Sequence, residues 1–437
     1  VTTPTAYGVG VLNSIKPASG NADFDFTRNS SATRVNPDYL IETVATDIPR
    51  LDYTNGTASI LLENQSTNLV TYSVDLNLEL NNGSPVITTN STVSPEGIQN
   101  ANKINQTLVS EYQSRFRTIN ITAGSTWTRS IFAKKDTGYW LYLQAYDGIS
   151  NNGAYFDLDN GVLGTVQSGM TAKMEAYPNG WYRCSVTNTP DAAAYTERIQ
   201  VALVNADNTS ANTTGNGTGI FIYGAQLEQS SFPTSYIPTS GQSGGVTRAA
   251  ETLNNAGNSD LINSTEGVLY LDFASLNNSG NYRLISLSDG TTSNRLFIGF
   301  RLDTGYIYYF VIVAGSTQAS NVTTITATDF TKVAVKWKAN DFALWVDGVE
   351  ISSDTSGISF PADTLNTIQM NEGDGAGFEF YGKTKCLAVF SESLSDTELA
   401  CLTSTNNREI FLNYYYRMQY VGANTEAVNC AQIKLNV

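Results

Sequence analysis

Aromatic side chains are concentrated in one short stretch of the first half of the chain. Tyr139, Trp140, Tyr142 and Tyr146 follow one another closely, and the turn pair Asp147-Gly148 comes directly after them. Alternate side chains of a strand share a face, so Trp140, Tyr142 and Tyr146 are expected to line one side of a sheet. Flat aromatic rings pack against pyranose rings, which makes this stretch a candidate glycan-binding site. The alternative is that the rings fill a core and its rim.

A second candidate group lies in the other half of the chain. Tyr306 and Tyr308 are separated by one residue, as two side chains on the same face of a strand are. Glu372 and Asp374 belong to the glycine-rich loop 371–377, whose oxygens are the kind of ligand that Ca²⁺ prefers. The tyrosines favour a glycan and the carboxylates favour calcium, but the acid spacing does not match an EF-hand loop. We therefore expect no cofactor, with a calcium ion as the alternative.

The chain has no histidine at all. Serine and cysteine nucleophiles that rely on a histidine base are therefore excluded, and so are metal sites with histidine ligands. The segment 241–245 matches the G-x-S-x-G pattern of hydrolases, but without a base it is better explained as a flexible linker. Glycoside hydrolysis needs only two carboxylates, and no Asp/Glu pair occupies a recognisable catalytic setting. The sequence predicts a protein that is not an enzyme, and a polysaccharide-cleaving enzyme is the alternative.

The composition excludes several classes of partner. The net charge is −15 and Lys134-Lys135 is the densest basic pair, so we expect no binding to nucleic acid. No apolar run approaches the roughly 18 residues of a membrane-spanning helix, and the N-terminus shows no secretory pattern. Assembly in a cytoplasm without membrane insertion fits both observations. The four cysteines are far apart and are expected to be reduced, with a Cys386–Cys401 disulfide as the alternative.

Turn residues separate many short segments in which polar and apolar residues alternate. This pattern predicts an all-β protein made of two antiparallel jelly-roll sandwiches in tandem. Pro233, Pro238 and the glycines from residue 241 onward mark the clearest domain boundary. The predicted units are an extended N-terminal arm or lead-in (1–70), a first sandwich (71–240), a linker (241–259), a second sandwich (260–403) and a short C-terminal tail (404–437).

Individual elements follow from the alternation and from the turn signals. The predicted strands are Val35–Val44, Ser59–Leu62, Ser125–Phe132, Tyr139–Tyr146, Ala154–Leu158, Trp181–Val186, Gly219–Leu227, Gly267–Phe273, Tyr282–Leu287, Arg295–Leu302, Tyr306–Val313, Lys332–Lys338 and Cys386–Phe390. The clearest helix begins near Ser395, because Ser395 and Glu398 have capping-box spacing and Leu394 occupies the staple position. Trp181 follows a turn at the start of its strand, so it is predicted to anchor a core.

Seven short phrases occur in order along the first 250 residues: Phe26–Val35, Ile48–Tyr53, Leu61–Leu69, Gly180–Arg183, Gly224–Glu228, Tyr236–Thr239 and Val246–Ala250. In this order they resemble the lead-in, the end and the following segment of carbohydrate-binding-like jelly-roll modules in bacteriophage tail, fibre and other virion proteins. The resemblance implies a structural component of a phage particle, such as a tail fibre, head fibre, spike or decoration protein. It further implies location in the virion, assembly in the host bacterial cytoplasm and attachment to host-surface glycan.

The second sandwich carries different motifs. Residues 345–348 read Trp-Val-Asp-Gly at a predicted hairpin, and the strand Cys386–Phe390 is followed by Leu-Ser-Asp-Thr-Glu at 394–398. This combination resembles the concanavalin A-like, or laminin G-like, jelly roll. The resemblance implies a fold but leaves the function open, because that fold hosts lectins, glycosidases and inert spacers. A secreted bacterial lectin or adhesin is therefore a further alternative.

Both ends of the chain are predicted to contact other modules or subunits. Residues 1–70 have too little apolar content for a core of their own, so they should wrap on a neighbouring module or reach a partner subunit. Exposed aromatic residues favour interfaces, and the tail concentrates them at Phe411, Tyr414, Tyr415, Tyr416 and Tyr420. We expect the partners to be other virion proteins and copies of this chain, in a homo-oligomer that is a trimer by analogy with phage fibres.

Overall fold

The computed structural model describes residues 4–8, 11–14, 23–73, 80–121, 124–146, 151–190, 196–209, 212–213, 215–278, 280 and 282–405. Within these ranges the chain is almost entirely β-structure, and neighbouring strands of the sheets run antiparallel. The predicted all-β fold is confirmed. The tail from residue 406 onward, with its aromatic residues, lies outside the described residues. In the described part, no helix is long and apolar enough to cross a membrane.

Three of the first eight strands pair with strands that lie far along the sequence. They are β1 (Pro4–Gly8), β2 (Val11–Ser14), β3 (Phe24–Thr27), β4 (Ala32–Val35), β5 (Ile41–Val44), β6 (Arg50–Asp52), β7 (Ser59–Leu62) and β8 (Ser66–Asn68). β3 and β8 pair with strands that follow the first sandwich, and β7 pairs with the last strand of the second. Residues 23–68, here called the connector, therefore pack on neighbouring modules, which is one of the two arrangements expected of the lead-in.

One predicted connector strand, Val35–Val44, is instead a hairpin formed by β4 and β5. The side chain of Asn36 accepts the backbone N–H groups of Asp38 and Leu40, each at 3.0 Å. Tyr39 adopts a left-handed conformation with a φ of 61°. These local hydrogen bonds compete with an extended strand and turn the chain back on itself.

The first sandwich consists mainly of two six-stranded sheets, with strand orders β10-β11-β22-β14-β19-β18 and β17-β16-β15-β20-β13-β9. Its elements are β9 (Leu80–Asn82), β10 (Val86–Val93), β11 (Gln99–Asn105), β12 (Glu111–Tyr112), β13 (Ser114–Asn120), β14 (Trp127–Lys135), β15 (Trp140–Tyr146), β16 (Asn151–Asp157), β17 (Val162–Val166), β18 (Met170–Tyr177), a 3₁₀ turn (Pro178–Gly180), β19 (Trp181–Asn188), β20 (Thr196–Val204), β21 (Asn212–Thr213) and β22 (Gly219–Glu228). Alternation along β15 sends Leu141 and Leu143 into the core, whereas Trp140 and Tyr142 belong to a cluster on the other face, as predicted.

Trp181 begins β19 directly after the turn residues Asn179 and Gly180, whose φ angles are 61° and 76°. The indole is buried in an aromatic cluster that includes Tyr236, on the side of the sheet facing the connector. Its Nε1–H group donates to the carbonyl oxygen of Val93 at 3.1 Å. The predicted burial of Trp181 is confirmed.

The second sandwich pairs a seven-stranded sheet, β32-β31-β30-β25-β34-β7-β6, with a five-stranded sheet, β29-β28-β27-β26-β33. The remaining elements of the described chain are β23 (Val246–Arg248), β24 (Thr252–Asn254), β25 (Glu266–Ser275), β26 (Tyr282–Ser288), β27 (Arg295–Arg301), β28 (Tyr306–Val313), β29 (Ser316–Thr324), β30 (Thr331–Lys338), β31 (Phe342–Val346), β32 (Val349–Asp354), β33 (Thr367–Gln369), β34 (Gly382–Phe390) and α1 (Asp396–Thr403). The core between the sheets also contains Phe24, Phe26, Ile60 and Leu62 of the connector.

The helix α1 begins where the capping box predicts it. The backbone N–H of Ser395 donates to the Glu398 carboxylate at 2.8 Å. Leu394, Leu399 and Leu402 pack on the outer side of the seven-stranded sheet. A short helix of this length is not stable alone, so this packing is what holds it in place.

A cluster of buried ions joins the connector to the segment that follows the first sandwich. We call it the junction ion cluster, and it consists of Arg28, Arg50, Glu63, Arg248 and Glu251, all nearly inaccessible to solvent. Arg28 Nη1 lies 2.9 Å from Glu251 Oε1, and Arg50 Nη2 lies 2.9 Å from Glu63 Oε2. Burial opposes ionisation of Glu63, but Arg248 and Arg50 hold its pKa well below the usual range.

Three cysteines lie in the described residues. Cys184 and Cys386 are free thiols, so the alternative Cys386–Cys401 disulfide is not formed. Cys401 is disulfide-bonded, which corrects the prediction that every cysteine is reduced. Burial raises the pKa of the Cys184 thiol well above its ordinary value, which keeps it protonated and unreactive.

Candidate carbohydrate-binding sites

The outer side of the five-stranded sheet carries a connected set of rings. We call this surface the aromatic face, and its members are Tyr282, Phe297, Tyr306, Tyr308, Phe310 and Phe378. The ring centroid of Tyr308 lies 5.6 Å from that of Tyr282, 5.6 Å from that of Phe297 and 6.1 Å from that of Phe310. Phe378 continues the set from a loop, 5.2 Å from Tyr282. Tyr308 thus lies among four further rings, and strand alternation places Tyr306 on the same face of the sheet.

Strand alternation explains why these rings face outward. On β28, Ile307, Tyr309 and Val311 enter the core, so the side chains between them are left on the outer side. Tyr306 and Tyr308 are half-buried there. Burial raises the pKa of the Tyr308 phenol, so it stays protonated at neutral pH and can both donate and accept a hydrogen bond.

Arginine side chains border the aromatic face on β27. The guanidinium carbon of Arg295 lies 5.0 Å from the Phe297 ring centroid, and that of Arg301 lies 5.7 Å from the Tyr282 centroid. Both distances fall in the range of cation–π contacts. Planar rings flanked by hydrogen-bond donors match a sugar, because a pyranose has an apolar face and a rim of hydroxyl groups.

The two predicted calcium ligands bind separate protein groups. Arg295 Nη1 lies 3.2 Å from Glu372 Oε2 and also donates to the Glu372 carbonyl oxygen at 2.5 Å. Asp374 is exposed, and its carboxylate accepts the backbone N–H of Ala376 at 3.1 Å. In the described part of the chain, no group of three or more Asp, Glu, Cys or His side chains is arranged to hold a metal. A calcium site at Glu372 and Asp374 stays a prediction.

The predicted site on the first sandwich is divided between buried and accessible rings. Tyr142 is buried and stacks on Tyr155, with ring centroids 4.1 Å apart and planes at 3°. Trp140 is half-buried, and Tyr139 is 43% exposed with its centroid 6.5 Å from the indole. The side chain of Tyr146 lies outside the described residues. Only Tyr139 and Trp140 of the described group therefore present ring surface to a ligand.

Amide side chains hold the buried part of this aromatic group in place. The phenol of Tyr142 donates to Gln167 Oε1 at 2.5 Å, and that of Tyr155 donates to the carbonyl oxygen of Thr209 at 2.9 Å. Gln200 Nε2 donates to the phenolic oxygen of Tyr112 at 2.9 Å. Satisfied buried hydrogen bonds of this kind rigidify a sheet. Trp140 packs against the cluster that contains Tyr142 and Tyr155.

Sequence reasoning found two of the six rings on the aromatic face. Tyr282, Phe297 and Phe310 lie in strands that the sequence pattern predicted. Counting alternate residues from the ends of those strands would have placed the three rings on the outer face. Phe378 lies in a loop with a φ of 49°, and nothing in its local sequence indicates where the ring goes.

The environments of the buried carboxyl groups bear on catalysis. Asp52 is largely buried, yet Lys383 holds its pKa below the ordinary value, as the arginines do for Glu63. Both are therefore ionised and paired at neutral pH. Burial raises the pKa of Glu228 to about 7, a value suited to a general acid. Glu228 is fully buried in the first sandwich and has no access to a substrate.

Comparison with known proteins bears on the second sandwich. The family model described as "Concanavalin A-like lectin/glucanases superfamily" matches residues 270–400, so this part of the chain is a concanavalin A-like jelly roll. Among curated proteins, no relative matches the chain.

Solved structures similar to parts of this chain come from several organisms. The module CBM40 of the Ruminococcus gnavus IT-sialidase, bound to α2,3-sialyllactose, has 17% identity and a TM-score of 0.28, covering 32% of this chain and 83% of that one. A heptameric SAP-like pentraxin from Limulus polyphemus has 15% identity and a TM-score of 0.28, with coverage of 34% and 74%. Domain 4 of an extracellular arabinanase from Geobacillus stearothermophilus, in complex with arabinotriose, has 11% identity and a TM-score of 0.26, with coverage of 36% and 73%.

Proposed function

We propose that this protein is a non-enzymatic structural component of a bacteriophage particle that attaches to host-surface glycan through the aromatic face of its second sandwich. It acts as a fibre, spike or decoration protein. The single observation that carries the binding role is the set of rings around Tyr308, bordered by Arg295 and Arg301. All of these rings except the buried Phe297 are partly exposed. Aromatic and arginine side chains of this kind dominate the binding energy of interfaces.

The role in a virion is supported by the sequence phrases that resemble phage proteins. In the structure these phrases supply Arg28, Arg50, Glu63, Arg248 and other buried side chains where the connector meets both sandwiches. The resemblance therefore concerns the way in which the modules are joined. A chain built to hold two sandwiches in a fixed relation suits a particle component that is assembled with copies of itself and with other virion proteins in the host cytoplasm.

The absence of turnover is part of the proposal. The chain has no histidine, and Asp52 and Glu63 are bound to cationic side chains. Glu228, whose pKa suits a general acid, is buried without access to solvent. A polysaccharide-cleaving enzyme would require two accessible carboxyl groups roughly 5–10 Å apart.

The binding role is tested with a matched pair of tyrosine variants. Tyr308→Ala removes the central ring of the aromatic face, whereas Tyr39→Ala removes a half-exposed tyrosine of the connector. On an array of bacterial surface polysaccharides, Tyr308→Ala should weaken binding about tenfold or more, because truncating an anchoring aromatic typically costs over 1 kcal/mol. Tyr39→Ala should bind as the parent does. Equal binding by the parent and both variants would show that the aromatic face is not the binding site.

The accessible rings of the first sandwich are tested separately. If Tyr139→Ala abolishes polysaccharide binding while Tyr308→Ala does not, attachment occurs through Tyr139 and Trp140 instead. Release of reducing ends from any polysaccharide, lost on replacing one carboxylate, would make the protein a depolymerase.

Location in a particle needs its own measurement. Antibodies against the folded protein should label intact virions in negatively stained images. A secreted bacterial lectin or adhesin is the second candidate, because the match to the concanavalin A-like lectin/glucanases superfamily suits it equally well. Labelling of a bacterial surface in the absence of phage would favour that candidate.

A further inference from the structure

An open cleft of about 450 Å³ lies where the connector meets both sandwiches. We call it the junction cleft. Its walls come from β18 and β19 of the first sandwich, from connector residues between Thr33 and Glu63, and from the second sandwich around Asn277 and Lys383. Ligand sites of 300–1,000 Å³ are commonly found at such interfaces between modules. No member of the aromatic face lines the junction cleft.

The charge of the junction cleft contrasts with that of the whole protein. The chain has 25 basic and 40 acidic residues, but the charged side chains lining the cleft are Arg34, Lys173, Arg183 and Lys383 against Asp52, Glu63 and Glu175. Each lining carboxylate already contacts a cation: Asp52 contacts Lys383 at 2.8 Å, Glu175 contacts Lys173 at 2.8 Å, and Glu63 contacts Arg50 at 2.9 Å. Arg34 is paired in turn with Glu42 at 2.6 Å, so the excess of positive charge among the lining side chains reduces to Arg183.

Arg183 accounts for this excess. Its side chain is only 4% exposed, and no described carboxylate lies within ion-pair distance of it. Nη2 donates to Ser130 Oγ at 3.1 Å, the guanidinium carbon lies 5.5 Å from the Phe132 ring centroid, and Nε has no hydrogen-bond partner in the described structure. The Tyr177 phenol also hydrogen-bonds the guanidinium, and the buried Glu228 carboxyl, which Arg183 attracts, has a pKa of about 7 and is only partly ionised at neutral pH. A buried cation that lacks an ion pair is unfavourable, so an anionic ligand in the cleft would stabilise it further.

The rest of the lining suits a sugar. Half-buried rings of Tyr177, Phe232 and Phe330 offer apolar surface, and Asn277 and Asn278 offer amide groups at the rim. Aromatic surface with a few polar groups is the usual composition of a small-molecule site. The rings and amide groups favour a saccharide, and the positive charge favours one that carries a carboxylate.

We propose that the junction cleft is a second ligand site, which binds an acidic monosaccharide or the acidic end of a short glycan, with Arg183 facing the sugar carboxylate. This site is separate from the glycan attachment proposed above and does not depend on it. Because the cleft is formed by both sandwiches, its ligand would contact both modules at once.

The probes are methyl β-D-glucuronide and methyl β-D-glucoside, which differ only in the carboxylate. Titration calorimetry on the full chain should give tighter binding of the glucuronide by about tenfold or more, as expected when a charged hydrogen bond is gained. Arg183→Gln should reduce glucuronide affinity to that of the glucoside, and Arg183→Lys should retain part of the difference.

A second set of variants keeps the test valid if a change at Arg183 disturbs folding. Asn278 is exposed at the rim, so Asn278→Trp should block the cleft and abolish glucuronide binding. Thr89→Trp, at an exposed position of β10 that does not line the cleft, should leave it unchanged. Tyr308→Ala should also leave it unchanged, which separates this site from the aromatic face. Equal affinity for both probes, no binding of the glucuronide, or binding that survives Asn278→Trp would overturn the proposal.

Discussion

Arg50 illustrates how buried charge organises the junction. The guanidinium is fully buried, and Nε donates to Glu251 at 2.8 Å while Nη1 donates to the carbonyl oxygen of Thr33 at 2.9 Å. A charge at this depth is tolerated only when its partners replace the lost hydration. Each member of the junction ion cluster therefore depends on the others, and removing one takes a buried ionic partner away from its neighbours.

Arg50→Ala should lower the free energy of unfolding by about 3–5 kcal/mol, because Glu63 and Glu251 would each lose a buried partner. The matched control is Lys135→Ala, which breaks the exposed pair between Lys135 and Asp159. Urea unfolding should show no change for the control, since exposed ion pairs contribute little. A midpoint for Arg50→Ala equal to that of the parent would mean that the junction ion cluster does not stabilise the fold.

Glu228 predicts how stability depends on pH. Burial raises its folded-state pKa to about 7, above the ordinary value of 4.5, so the folded protein binds the extra proton between these values. Stability should therefore fall as the pH rises from about 4.5 to about 7 and stay level above that, with a total change of about 3 kcal/mol. Asp52 and Glu63 have lowered pKa values, so their stabilising effect is lost only when the pH falls below their ordinary range.

Glu228→Gln is the test of this dependence. The variant should unfold at higher denaturant concentration than the parent at pH 8 and should match it near pH 5. If the parent shows the same stability at pH 5.5 and pH 8, the Glu228 carboxyl is not the group responsible and the prediction fails.

Single residues differ in how far sequence alone could place them. Tyr308 was predictable as a surface ring because its strand ends were marked by turns and alternation then fixed its face. The burial of Arg183 was not predictable, since a short phrase gives no indication that a charged side chain will be buried outside an ion pair. Tyr142 follows the same alternation as Trp140, but its burial depends on Tyr155 and on amide groups from other strands.

Among the elements, β19 shows how a turn and one large side chain set a strand in place. The turn at Asn179 and Gly180 needs left-handed backbone, and it positions Trp181 at the first residue of the strand. The indole then packs with Tyr236 on one side of the sheet while Cys184 and Val186 enter the core on the other. The strand is therefore anchored on both faces.

Trp181→Ala should lower the free energy of unfolding by about 3–5 kcal/mol, because a large buried ring is lost together with its hydrogen bond to Val93. Trp140→Ala is the control of equal size, and it should cost less because that indole is half-buried. Chemical denaturation measures both. Unchanged stability of Trp181→Ala with lost polysaccharide binding would assign Trp181 to a ligand site instead.

The elements that sequence reasoning located best are those with local signals. β28, β31 and α1 begin or end at the predicted turns or caps. β7 is different, because its partner strand β34 is more than 300 residues away and no local pattern indicates that pairing. The pairing register of distant strands depends on which of their side chains the core buries. Local sequence patterns do not show which core that is.

At the scale of the whole molecule, the two sandwiches differ in how much of the connector they need. The main core of the first sandwich consists of residues between Val70 and Leu227, and none of them belongs to the connector. The core of the second sandwich takes Phe24, Phe26, Ile60, Leu62 and Leu253 from outside residues 260–405. The second sandwich is therefore completed by chain that precedes the first, which explains why the junction is so extensively buried.

This asymmetry leads to a prediction about isolated fragments. Residues 260–405 alone would lose five large buried side chains, and burying each contributes about 1.5–3 kcal/mol. The sum is comparable to the roughly 5–15 kcal/mol by which whole domains are stable, and the edge of β34 that pairs with β7 would be left open. We therefore expect this fragment to aggregate or to show a poorly dispersed ¹H–¹⁵N spectrum.

Residues 69–240, which keep their whole main core, are the matched control and should give a dispersed spectrum of a folded monomer. Adding residues 23–259 as a separate chain should restore the second sandwich, because that chain supplies both β7 and the missing side chains. A dispersed, monomeric spectrum from residues 260–405 alone would show that the connector is dispensable for the second sandwich and that the two modules are independent.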